Sequence, residues 1–390
     1  MFAKLRNARN PLPRIAVALS ALWLAACEPM QRGSGPRIDS GTAVPVALLL
    51  PSGSGNTGDE TLARSLRQAA EMAVSDLNGV KIDLRVYSTG GSAGQAAAVA
   101  SKAVDEGAKI ILGPVFAEAA NAAGVAVANR GISVLSFSNN ADIAGGNVFV
   151  LGSTFSNTAN RLAHYAAAQG KSRIMVVSEE TTAGQIGARA IETAVTRAGG
   201  TVAGRATYPF SQQGVAAAGP QIAAQANSGG VDALFMTADS AGALPMLAQV
   251  LTENGVSPEQ TKYIGLTRWD VPPATLALPG LQGGWFAMPD PGTSARFKAR
   301  YQAAYGSMPH PIAGLAYDGI AAIGALIKTG RPDALSHAGL TQSSGFVGVN
   351  GIFRLLPDGT NERALAIAEV RNGQAMVIDP APRSFGRAGF

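Results

Sequence analysis

Cysteine is almost missing from this chain: Cys27 is the only one in 390 residues. That excludes an internal disulfide and any metal cluster built on cysteine. Histidine is nearly as scarce. His164, His310 and His337 lie far apart without H-E-x-x-H or related spacing, so no metal site and no metal cofactor is expected. Charge is sparse as well, at 15% of residues against 47% apolar. So apolar a chain can bury a core, which excludes disorder, and its length suits two or three domains. The net charge of +5 comes mostly from one end. Lys4, Arg6, Arg9 and Arg14 precede Ala26 with no acid among them; taking those four from the 31 basic residues leaves 27 against 26 acidic. A near-neutral body has no basic face for phosphates, so no nucleic-acid partner is expected.

Long apolar runs are also missing. Ile15–Leu24 is about half of the ~20 residues that a membrane-spanning helix needs. Behind a basic stretch it reads as an export signal over residues 1–26, not as an anchor. The run ends in Leu24-Ala25-Ala26-Cys27, which resembles the lipobox of bacterial lipoproteins and makes Cys27 the lipidation site. Glu28 follows in place of the aspartate that retains many lipoproteins at the inner membrane, so the outer membrane is expected. Residues 27–42, rich in Pro, Gly, Ser and Arg, read as a flexible tether.

From Val44 onward, short apolar strands alternate with amphipathic helices. Strands are expected at Val44–Leu50, Ile82–Tyr87, Lys109–Leu112 and Ser133–Phe137, with helices between them. After a bridging segment at Val148–Thr154 the alternation restarts and runs to a strand at Lys262–Leu266. Near-continuously apolar strands indicate parallel sheets covered on both faces, so the fold class is α/β in two similar units. The end changes character. Phe346–Leu355, Ala364–Arg371 and Gln374–Ile378 read as antiparallel strands joined at Pro357-Asp358-Gly359 and Asn372-Gly373. Residues from 381 read as a loose tail.

Several segments carry a specific resemblance. Val46-Ala47-Leu48-Leu49-Leu50-Pro51, Ile110-Ile111-Leu112-Gly113-Pro114, Ala316-Tyr317-Asp318-Gly319 and the stretch from Gly345-Phe346 to Phe353 occur in an order that resembles the type I periplasmic-binding-protein fold. The branch it resembles is that of the branched-chain amino-acid receptors. With a lipobox in front, the chain further resembles LpoA-like penicillin-binding-protein activator lipoproteins. The resemblance implies two lobes, each a parallel sheet flanked by helices. Lobe 1 is then 43–153 plus 288–338, and lobe 2 is 154–287 plus 339–380, with a ligand cleft between them.

Motifs of other chemistries fail on inspection. Gly53-Ser54-Gly55-Asn56-Thr57-Gly58 spells G-x-G-x-x-G, but Asp59 and Glu60 stand where a pyrophosphate needs positive potential, and the second strand ends in Tyr87-Ser88-Thr89 without an acid. Gly170-Lys171-Ser172 has Tyr165 in place of the phosphate-loop glycine. No G-x-S-x-G elbow occurs, and Glu179-Glu180 reads as a solvated pair near a helix start. No enzyme is expected.

The resemblance also says where an amino-acid clamp belongs. It implies a serine after strand three, where Phe116 and Ala117 stand. It implies a threonine where Asn140 is, a gripping tyrosine near Thr182 and Ala183, and an acid near Thr267. A buried ammonium without an acid is costly, so an α-amino acid is a poor ligand. The expected cleft rim is Ser52, Ser54, Ser138, Asn139, Asn140, Thr181, Thr182, Asp239, Arg268, Trp269 and Asp270. It suits a small neutral polar ligand such as a sugar, with Trp269 stacking on it, or else it is an empty, residual cleft in which Trp269 packs between the lobes. The expected function is a lipid-anchored activator of peptidoglycan synthesis that docks on a class A penicillin-binding protein. The alternative is a solute receptor of an ABC transporter.

Overall fold

The computed structural model describes residues 35–385, so the leader and Cys27 lie outside the described residues. The first sheet is built from β1 (Val44–Leu50), β2 (Ile82–Ser88), β3 (Ile110–Leu112), β4 (Val134–Ser136) and β5 (Val148–Val150). All its pairings are parallel, in the order β2-β1-β3-β4-β5. Strand β1 shows why its sequence is apolar throughout. Val46, Leu48 and Leu50 enter one core, while Ala47 and Leu49 enter the core on the opposite face. The helices are α1 (Thr57–Asp76), α2 (Ala93–Asp105) and α3 (Ala117–Val127). The side chain of Asn56 caps α1 by accepting from the amides of Gly58 and Asp59, and Leu62, Leu66, Ala69 and Ala73 form its buried stripe.

The second lobe opens with α4 (Phe155–Ala168) and continues as β6 (Arg173–Glu179), α5 (Thr182–Arg197), β7 (Thr201–Tyr208), α6 (Gln212–Ala226), β8 (Ala233–Met236), α7 (Leu244–Glu253), β9 (Lys262–Gly265) and β10 (Trp285–Met288). Helices α8 (Pro291–Tyr305), α9 (Gly314–Ile327) and α10 (His337–Leu340) return to the first lobe. A small antiparallel sheet follows, of β11 (Phe346–Gly348), β12 (Gly351–Leu355) and β13 (Asn361–Arg363). Strands β14 (Ala366–Arg371) and β15 (Gln374–Asp379) then complete the second sheet, in the order β15-β14-β10-β9-β8-β6-β7. Strands β6 to β10 pair in parallel, β14 runs antiparallel to β10, and β15 antiparallel to β14. Asn372 and Gly373 turn between β14 and β15 with φ of 51° and 72°, the left-handed pair that a tight hairpin requires.

Three details depart from the expected boundaries. Leu340, Phe346, Phe353 and Leu355 pack in the first lobe's core, so the third crossing lies near Arg363 and not at residue 339. The expected tether is pinned within its described part: Ile38 is buried and its amide donates to the Pro332 carbonyl at 2.9 Å. The tail begins in contact with the body. Ala381 is buried beside Ala364 and Ala366, and the Arg354 guanidinium sits 4.7 Å from the Phe385 ring centroid.

The first and third crossings run side by side. The Asn361 amide donates to the Val150 and Gly152 carbonyls at 2.7 and 2.9 Å, and Arg363 Nε donates to the Leu151 carbonyl at 2.8 Å. Asn157 Nδ2 donates to the Asn361 carbonyl at 2.7 Å. At Gly152 a Cβ would lie 2.4 Å from the Ser138 carbonyl oxygen, so only glycine lets the crossing pass this close to the loop after β4.

Candidate ligand-binding cleft

A cavity of about 390 Å³ lies where the lobes meet, within the size range of small-molecule sites. The loop after β4 contributes Asn139, and the loop before α9 contributes Pro311 and Ile312. The loop after β9 contributes Leu266, Thr267, Arg268 and Val271, and the end of β10 contributes Ala287, Met288 and Pro289. Ser153, Thr154, Phe155 and Thr158 come from the first crossing and the first turn of α4. Leu315, Asn350, Arg363 and Leu365 complete the wall. The strand contributions come from carboxyl ends, where ligands of open α/β sheets bind.

Thr154 starts α4 with a reciprocal cap. Its hydroxyl accepts from the Asn157 amide, while the Asn157 side chain accepts from the Thr154 amide. Such a cap is worth about 1 kcal/mol and fixes the helix start against the cavity.

Arg363 is the most constrained polar group in the wall. Its side chain is only 4% exposed. Nε is taken by the Leu151 carbonyl and Nη1 donates to Asp318 Oδ2 at 3.1 Å, while Nη2 has no partner. The guanidinium also lies 4.8 Å from the centroid of the Phe353 ring. Asp318 is fully buried and also accepts from the Val349 amide at 2.7 Å and from Asn350 Nδ2 at 3.3 Å. Burial pushes the Asp318 carboxyl up from its ordinary value, against the pull of Arg363. Arg268 is more open and is paired through Nε and Nη2 with the Asp270 carboxylate.

Of the expected rim, the structure brings Asn139 and Arg268 to this cavity. The others are occupied with local structure. Ser52 Oγ bonds Ser88 Oγ at 2.7 Å, and Ser54 Oγ accepts from the Asn56 amide. Ser138 is buried and accepts from the Asn140 amide, and Asn140 in turn accepts from the Asp142 amide. Thr181 caps α5 by accepting from the Gly184 amide, with Thr182 exposed as the first helical residue. Asp239 accepts from the Gly242 amide. Asp270 serves Arg268.

Trp269 is a correction. It neither stacks in the cleft nor packs between the lobes: it is fully buried in a second-lobe core with Phe286, Leu281 and Leu276. Gly265 and Gly284 make room for the indole: a Cβ on either would come within 2.3 and 2.6 Å of it. Arg363 and Asn350 were missed. The one available signal was a lone arginine heading the apolar run Ala364-Leu365-Ala366-Ile367-Ala368.

The nucleotide-like loop is self-satisfied. Glu60 accepts from the Gly53 amide at 2.6 Å and Asn56 from those of Gly58 and Asp59, which leaves those donors unavailable to a phosphate. Among the described residues no three His, Cys, Asp or Glu side chains gather as a metal site, and no helix is long and apolar enough to cross a membrane.

A sequence profile described as periplasmic binding protein matches residues 43–375, nearly the whole described chain. The chain belongs to the periplasmic binding protein family. Solved structures agree on the fold. One is assigned as a branched-chain amino acid ABC transporter from Rhodospirillum rubrum, 20% identical, with 86% of this chain and 100% of that one covered at a TM-score of 0.73. A second is an ABC transporter substrate-binding protein from Desulfitobacterium hafniense in complex with Leu, 18% identical, covering 86% and 100% at 0.64. A third is a solute-binding protein of an ABC transporter from Rhodopseudomonas palustris BisB5 in complex with 3,4-dihydroxy benzoic acid, 19% identical, covering 87% and 96% at 0.58. No curated protein matches. This periplasmic binding protein therefore has the two-lobed α/β fold expected from its sequence, in the type I, branched-chain-receptor-like form. Among the described residues, no carboxylate that could take an ammonium lines its cavity.

Proposed function

We propose that the chain is a solute-binding receptor of an ABC transporter, acting in the periplasm and held at the membrane by a lipid on Cys27. The observation that carries this reading is the formed cavity between the lobes, at the carboxyl ends of the strands, with a buried guanidinium in its wall. The solved relatives support it, since they are ABC transporter proteins and two of them are substrate- or solute-binding proteins that hold small ligands. The neutral sugar expected from the sequence suits this wall poorly. Most of the lining is apolar, and Trp269 is not there to stack. The role is binding, with no catalytic step.

The lipid anchor is supported by the lone cysteine at the end of a short apolar run. One acyl chain binds a membrane marginally, but a lipoprotein carries more than one. The Cys27→Ala chain should move from the membrane to the soluble fraction on cell fractionation. Retention in the membrane would exclude Cys27 as the anchor.

The second reading is the activator of a class A penicillin-binding protein. It is favoured by Phe116, Ala183 and Thr267 standing where the family resemblance puts the amino-acid clamp. Affinity capture of the full-length chain from solubilised envelope, followed by mass spectrometry, separates the two. The receptor reading expects permease and ATPase subunits. Capture of a peptidoglycan synthase without them would put the activator in its place.

A further inference from the structure

We infer that the cleft takes a small monocarboxylic acid with an apolar body, the carboxylate being met by the arginines of the wall. The inference deepens the receptor reading and rests on it. Four features of the cavity lead to the same ligand chemistry.

Among the described residues, Arg268 and Arg363 are the only charged ones in the wall, and no aspartate or glutamate lines it. A cationic group entering the cleft would meet two guanidiniums, each already paired with an acid behind the wall, and no carboxylate of the lining. An anion meets donors whose hydrogen bonds to a charged group are about twice as strong as neutral ones.

Arg363 Nη2 is a buried donor without an acceptor, on a side chain otherwise fixed by Leu151 and Asp318. Such a donor pays its desolvation cost without return unless something supplies an oxygen. Asp318 does not supply it: its oxygens serve Arg363 Nη1, Val349 and Asn350. Arg268 spends Nε and Nη2 on Asp270, which holds the guanidinium in one orientation and leaves Nη1 for a further acceptor.

The third feature is the first turn of α4, a helix of 14 residues whose Ser153–Phe155 start and Thr158 form part of the wall. The positive end of its dipole adds to the field of the two arginines. The fourth is the apolar part of the lining, which includes Phe155, Leu266, Val271, Ile312, Leu315 and Leu365. That surface suits a hydrocarbon body. No third cation lines the wall to meet a second carboxylate, which is why a monocarboxylate fits better than a diacid; Asn139, Thr267 and Asn350 add neutral polar groups, so a sugar is left to the test.

The test is a panel of matched pairs, with binding to the full-length chain in detergent read by calorimetry and thermal shift. Isocaproate and phenylacetate carry the carboxylate; isocaproamide and phenylacetamide have the same shape without charge; leucine adds an ammonium to the isocaproate skeleton; glucose is the neutral polar control. The acids should bind at least about tenfold more tightly than their amides, as expected for the loss of one charge-assisted hydrogen bond. Leucine and glucose should not bind. Arg268→Gln should weaken the acids by about tenfold and leave the amides unchanged. Arg268 is part-exposed and its ion pair is with Asp270 in its own loop, so that variant keeps the test valid if Arg363→Gln fails to fold. Amides or glucose binding as well as the acids would overturn the inference and leave the receptor reading standing. If no compound binds and a peptidoglycan synthase is captured, both fall.

Discussion

Replacing Asp318 by alanine should destabilise the first lobe by about 3–5 kcal/mol, the usual cost of leaving a buried charge unpaired. Asp318 is fully buried and holds three groups from the late chain: the Arg363 guanidinium, the Val349 amide and the Asn350 side chain. Alanine would orphan all three and open space beside Gly348. Asp318→Asn keeps the volume and an acceptor for the Val349 amide, so its loss should be smaller. The exposed pair Arg331–Asp333 supplies a contrast. Asp333→Ala should leave the urea midpoint where it is, because both partners remain solvated. Urea melts of the three variants check this. An Asp318→Ala midpoint that matches the parent would remove the pair from the structure's supports.

The same pair shows where the sequence is readable and where it is not. Strand β1 is legible because both its faces are buried, so Val46 to Leu50 has to be apolar at every position. Asn372-Gly373 is legible because a two-residue hairpin turn needs left-handed backbone at both positions. The side on which β11 and β12 pack is not local information. Phe346 and Phe353 alternate as in any half-buried hairpin, and the ties from Asp318 to Val349, Asn350 and Arg363 hold them to the first lobe. Arg363 was hidden for the same reason, since its acid partner lies 45 residues away.

The expected cleft rim erred in a systematic way. It collected short polar residues at strand ends, which is also where helices start. Serine, threonine, asparagine and aspartate are the preferred caps there because their side chains reach nearby amides. Thr181, Asp239, Asn140 and Ser54 all do this, and their acceptors are already used. Asn139 escapes because its neighbours Ser138 and Asn140 supply the turn's hydrogen bonds. Arg268 escapes because its guanidinium outreaches the loop while Asp270 steadies it. In this fold, reach and an untaken donor mark a cleft residue better than polarity at a strand end.

Trp269→Ala should cost about 3–5 kcal/mol in the second lobe, the range for deleting a large buried aromatic side chain. The indole is fully buried, its ring centroid 6.0 Å from that of Phe286, and it fills the space over Gly265 and Gly284. Trp269→Phe should cost less and leave ligand binding intact, since the cavity wall does not include this side chain. Gly265→Ala presses from the other side: its Cβ would lie 2.3 Å from the indole, an overlap that costs about 1–3 kcal/mol. Combining Gly265→Ala with Trp269→Phe should recover part of that loss, because the smaller ring yields room to the methyl group. The recovery is a coupling energy, measured as the double variant's departure from the sum of the singles. A residue that stacks on ligand in the cleft gives the opposite pattern. Its alanine variant would melt like the parent, lose affinity, and show no coupling to Gly265.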